Sequence, residues 1–504
     1  MDALHLLTVD NLLVTADNPP RTDLVGMDHA RCAALHNYLV HYAWLAEGRP
    51  PTSLHGNSNN TFFTAHGAAA EALRPRLDSS LAAFLATASL PPADAPEPAP
   101  FFFWAHGLSD PDCLFANETA DLFDEPEDSL VCLYFPNIGQ GGESGGGVLY
   151  HQGRHRAAVF MHMDDHDYAL PAAAHPELWH PLETVLSNWI ELIRLGKVVI
   201  AASSPRDAPA AFGGEKIGPW EWRPYGEAQV TACVGAWERL CDAVEARALS
   251  LEPSSSSSTR VTELRPQPLL APAALDAASV PENCFTRDFL TRARRPRFRR
   301  VASGLVLPSA DAGEFAASQP FSRLPRAANS IPPVCLFPMA AREGGRGGGE
   351  RDEVDLTGSR NPFCGAFRAG PAALSRVPAG VYSESVERDA YDNAEDGFRL
   401  LLPYSLEGDV DGRGFGAGEG AGARKSDGSF VTRGSTAELF QPGYKPFGGD
   451  YYRPQRLERL FDHWRGLVER GVWVVGPEGV EGDIDGFKEA DTSRWRDYII
   501  SPTW

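Results

Sequence analysis

Arg156-Ala-Ala-Val-Phe-Met-His-Met-Asp-Asp-His-Asp167 opens the stretch on which the reading of the fold turns. Its first half is a short apolar run with apolar residues on both faces, which suits a strand covered on both sides. Its second half is too polar to continue into a core. Further on, Leu182, Val185, Leu186, Trp189, Leu192 and Ile193 recur at the three-and-four spacing of one helical face, with Pro181 at the first helical position and Glu183 in the first turn. Gly196 fits a left-handed cap, and Lys197-Val-Val-Ile200 then reads as a strand. A second helix is expected from about 227 to 246, with Val230, Cys233, Val234, Trp237, Leu240, Cys241 and Val244 on one face. Helices of this kind need a sheet to lie on, so the class expected is α+β.

Working outward, the N-terminal part adds helical spacing at Cys32, Leu35, Leu39 and Tyr42, and again at Leu77, Leu81, Phe84, Leu85 and Ala88 behind an Asp78-Ser79 cap. Phe101–Trp104, Leu130–Phe135 and Val148–Tyr150 read as strands. The serine run 254–258 is a low-complexity break. It suggests two domains, 1–250 and 301–504, each with helices on a mixed sheet, joined by a linker at 251–300 that ends in an arginine-rich segment. Glycine-rich, charged stretches at 343–353 and 407–427 read as insertions. The later part ends in a helix with Leu457, Leu460, Phe461, Trp464, Leu467 and Val468 on one face, then Gly471 and the strand-like Val472–Val475. The spacing from Trp464 to Gly471 equals that from Trp189 to Gly196. Either the two halves are related copies, or helix–glycine–strand junctions share this pattern generally.

The chain has 504 residues and a net charge of −21, an acidic balance that argues against a general nucleic-acid-binding role. No apolar run is long enough for a membrane helix, and Met1–Asp10 lacks the features of a secretory signal. The eight cysteines are scattered and form no Cys-x-x-Cys, so reduced thiols are expected, and with them a cytoplasmic or nuclear location.

His162, Asp164 and His166 alternate, so on an extended backbone they share a side and could hold a divalent metal. His151, His155, His175 and His180 lie close by in sequence. The bland alternative is a polar loop with hydrogen-bonded histidines. Trp220, Trp222, Arg223 and Tyr225 sit in a proline-flanked loop that could present a binding platform or wedge onto its own domain. His29, Cys32 and His36 share one arc of a helix, a pattern that packing alone produces. Gly142-Glu-Ser-Gly-Gly146 matches Gly-x-Ser-x-Gly, but glycines on both sides favour a hairpin loop over a nucleophile elbow. The arginines of 292–300 read as a solvated linker or a counterweight to the chain's own acidity, with a localisation signal as the alternative.

Two functional classes follow. One is a non-catalytic binding or structural protein with a protein or small-molecule partner. The other is a metal-dependent hydrolase working at the 151–166 cluster. No cofactor beyond a possible divalent metal is implied.

Overall fold

The computed structural model describes residues 8–51, 54, 60–92, 101–137, 147–160, 170–200, 216–250, 267–341, 352–363, 367–368, 373–388, 394–408, 421–444, 447–448 and 454–503. The chain is α+β, with small sheets that are antiparallel apart from one parallel pairing. It divides into two compact units, Met1–Arg223 with Tyr444–Tyr451 and Pro502–Trp504, and Pro224–Gly443 with Tyr452–Ser501.

The first unit is built around helix α1 (His29–Ala46), started by the Asp28 carboxylate, which accepts the Arg31 N–H at 3.2 Å. Its buried residues lie all round the helix, from Cys32 and His36 to Tyr38 and Trp44, so it runs through the core and does not skirt it. Helix α2 (Ser79–Leu85) packs beside it, capped by Asp78 as its sequence predicts. Strands β1 (Ala105–Leu108), β2 (Leu130–Pro136), β3 (Gly147–His151) and β4 (Arg156–Phe160) form a four-stranded antiparallel meander in the order of the chain. A short helix, α3 (Asn117–Leu122), lies between β1 and β2. Helix α4 (Leu182–Arg194) lays its apolar face on α1, and Gly196 closes it with φ +66°. A three-stranded antiparallel sheet follows, with β7 (Trp220–Trp222) between β5 (Val198–Ile200) and β6 (Lys216–Ile217).

Phe101–Phe103 are bends, not the strand expected of four aromatics in a row. Phe102 and Ala105 exchange backbone hydrogen bonds, which folds the segment back on itself. That turn points the rings inward, where Phe102 stacks on Trp189 at 4.7 Å and Phe101 on Tyr134 at 5.0 Å.

The second unit begins with helix α5 (Glu227–Leu249), which packs along helix α7 (Leu457–Glu469) and against helix α6 (Phe285–Arg292). This differs from the sequence reading, which assigned 227–246 to the first domain. Its apolar face explains the change, because Trp237 stacks on Phe337 at 5.3 Å and meets Phe461 edge-on at 5.2 Å. The serine run itself lies outside the described residues. Val301–Leu307 is not one strand but a hairpin of β8 (Arg300–Ala302) and β9 (Leu305–Val306), turned at Gly304 with φ +67°. A separate three-stranded sheet holds β10 (Cys335–Pro338), β11 (Gly380–Ser383) and β12 (Phe398–Leu401). Beyond α7, Gly471 takes φ +70° and the chain forms the hairpin β13 (Val475–Gly476) and β14 (Gly479–Val480), with β14 parallel to β8. Each unit thus pairs a long early helix with an amphipathic one closed by a left-handed glycine and followed by a short strand.

The seven described cysteines are free, six of them buried. Titrating the denatured, unreduced protein should count eight thiols, and a count of six or fewer would reveal a disulfide.

Candidate functional site

Helix α1 carries a stripe of His36, Val40, Ala43, Trp44 and Glu47, which forms one wall of a cavity of about 40 Å³. The other walls are Ser89–Pro91, Phe101 and β1 residues His106–Leu108. The lining is mostly apolar, and His106 is exposed. His36 is part of its wall. Its Nε2–H donates to the Ser89 carbonyl at 2.9 Å, so Nδ1 accepts from the Tyr134 hydroxyl, also at 2.9 Å. Its ring stacks on Phe101 at 4.7 Å. Burial pushes the His36 imidazole down to about 4, only partly offset by the Ser89 carbonyl. One turn earlier on α1, the Cys32 thiol donates to the Glu183 carboxylate at 3.4 Å, and burial raises both groups above their ordinary values. His29, Cys32 and His36 therefore do not converge, since the cysteine turns to α4 and His36 to β2.

A second polar cluster surrounds the β3–β4 turn. His151 Nε2–H donates to Glu125 at 3.1 Å, with both side chains buried. The other Glu125 oxygen accepts the Ala172 N–H at 2.8 Å. His151 Nδ1 is sealed from solvent and has no hydrogen-bond partner. Burial lowers the His151 imidazole, and Glu125 opposes that shift. The neighbouring histidines are dispersed. His155 meets Tyr150 at 3.2 Å, His175 donates to the Leu170 carbonyl at 2.6 Å, and His180 packs on Phe447. The sequence candidates His162, Asp164 and His166 lie outside the described residues, as does Gly142–Gly146. Among the described residues, no group of three or more His, Cys, Asp or Glu side chains could hold a metal ion.

Trp220 and Trp222 are fully buried in the core of the first unit. Trp220 stacks with Tyr42 at 5.9 Å, and Trp222 lies against Trp104 at 5.5 Å and under Lys197 Nζ at 5.0 Å. Arg223 and Tyr225 are half-buried, and the Tyr225 hydroxyl donates to Asp288 at 2.9 Å within the second unit. The arginines near 292–300 are largely engaged inside the second unit. Arg292 binds Glu227, Arg294 binds Asp242 and Glu245, and Arg295 donates to the Leu269 and Pro308 carbonyls.

Sequence reasoning noted His36 only as part of a helical trio, and it missed Glu125 and Tyr134. No local spacing marks either residue, because a strand and a loop far along the chain bring them in. No family model, curated protein or solved structure matches this chain. No described helix is long and apolar enough to cross a membrane.

Proposed function

We propose that this chain is a non-catalytic binding protein whose first unit receives an apolar side chain of a partner in the groove between α1 and β1. One observation carries the reading: the groove is small and mostly apolar, and its buried histidine, His36, has both ring nitrogens engaged by Ser89 and Tyr134. A general base needs a nitrogen within reach of the substrate proton, and His36 offers none. The size agrees. A cavity of about 40 Å³ is far below the roughly 300–1,000 Å³ of small-molecule sites. It suits one inserted side chain better than an enclosed metabolite. Filling the groove from within tests this. A fragment library of small aliphatic and aromatic compounds should contain members that stabilise the wild type, by about 2.7 kcal/mol at a hundred times their Kd. Ala43→Phe should abolish that stabilisation. Equal stabilisation of both proteins would place the binding elsewhere.

A metal-dependent hydrolase is the second reading, and the Glu125–His151 pair favours it. A carboxylate that fixes one imidazole nitrogen and leaves the other unpaired is the usual support of a metal-binding histidine. His162, Asp164 and His166 would be the remaining ligands. On this reading zinc raises the melting temperature of the wild type, and the double replacement His162→Ala, His166→Ala removes the rise while His106→Ala keeps it. If zinc, manganese and magnesium all leave the wild type unchanged, the hydrolase reading fails.

A further inference from the structure

We propose that His36 is an acid-sensitive fastener of the α1–β1 groove, so that protonating this one imidazole opens the cavity; the inference rests on reading the groove as the binding site. The ring ties three segments together. It belongs to α1, its Nε2–H holds the Ser89 carbonyl that follows α2, and its Nδ1 holds the Tyr134 hydroxyl of β2. Protonation puts a hydrogen on Nδ1, where Tyr134 already donates. The Tyr134 hydroxyl must then turn its own hydrogen away and accept, so that buried O–H loses its acceptor while a full charge sits on a ring enclosed by Phe101 and Phe84.

Among the described residues, no acidic side chain is paired with the ring to balance the new charge. Phe101 stacks on the ring and Phe84 meets it edge-on at 5.8 Å. Helix α2, which supplies Phe84, carries no titratable side chain. On α1 and α4, Cys32 and Glu183 are bound to each other. Tyr150 on β3 is turned to His155. Glu47 and His106 also line the cavity, and Glu47 accepts from Arg49. No charged side chain contributes to the shift of His36.

The sign follows from burial. The closed groove holds the imidazole at about 4, against about 6.5 when it is solvated. Closure is therefore fully favoured above about 6.5 and weakens as pH falls towards 4. The opening equilibrium rises by roughly 80-fold over that range, and by roughly 20-fold between pH 7 and pH 5.

Hydrogen exchange followed by mass spectrometry on the full chain without added ligand, corrected for intrinsic rates, measures this opening directly. Residues 36–47 and 84–92 of the wild type should open roughly 20-fold more at pH 5 than at pH 7. His36→Gln, which can keep a donor for Ser89 but does not titrate, should show no such rise. A wild type that is flat, or a variant with the same rise, would overturn the proposal. Should His36→Gln not fold, NMR titration of His36 in the wild type decides. A midpoint near 4 supports the fastener and one near 6.5 contradicts it. Because no ligand is used, failure here leaves the binding reading standing, and failure of the fragment test leaves this result intact.

Discussion

Trp189→Ala is expected to destabilise the first unit by about 3–5 kcal/mol. Trp189 is fully buried, stacks on Phe102 at 4.7 Å with ring planes 12° apart, and touches Phe101, Trp104 and Tyr134 edge-on. Its indole N–H donates to the Phe447 carbonyl at 2.7 Å. Truncation removes a whole indole from this cluster and strands a buried acceptor, so both losses act in the same direction. Denaturant unfolding, read by a probe confined to the first unit, measures the change. A loss below about 1 kcal/mol would mean that α4 does not anchor the core as described.

Gly304→Ala should cost the second unit about 2–5 kcal/mol, from two causes. The residue sits at φ +67°, where a side chain costs about 1–2 kcal/mol. A Cβ there would also collide with the backbone of Asp483 and Ile484, so the β8–β9 hairpin could no longer approach that segment without a shift of the kind that overpacking imposes. Gly358→Ala is the control for the first cause alone. It has φ +63° but no atom within 4 Å of the added Cβ. Equal losses at the two positions would show that the close approach at Gly304 contributes nothing.

The helices were the legible part of the fold. α4 and α7 show their apolar stripes at the right period, and each stripe ends at a glycine that does adopt the left-handed conformation. β2, β3 and β4 could be read because each is a short apolar run bounded by polar or glycine-rich segments. Phe101–Trp104 misled for a physical reason. Four aromatics satisfy strand composition, but their rings gain more by filling the space around Trp189 than by alternating across a ladder. Likewise the apolar face of α5 does not say which surface it will cover. Phe337 and Phe461, which receive Trp237, lie about a hundred and more than two hundred residues further along.

The groove was illegible for a related cause. His36, Tyr134, Phe101 and Ser89 share no motif, and only the packing of α1 on the meander brings them together. Trp220 and Trp222 read either as a platform or as a wedge onto their own domain, because alternate aromatics in a loop are compatible with both. On the central strand of a small sheet they point both indoles into the core, as the wedge reading has it. Arginine content was equally ambiguous, since a basic run binds its own helix α5 as readily as a partner.

The most direct test of the binding reading is a set of crystals of the full chain soaked with small aliphatic and aromatic fragments. The account predicts fragment density between α1 residues Val40–Glu47 and β1 residues His106–Leu108, with the His36–Ser89 and His36–Tyr134 hydrogen bonds intact at neutral pH. Fragments gathered instead at the Glu125–His151 pair, with the groove empty, would contradict it and leave the hydrolase reading as the better account.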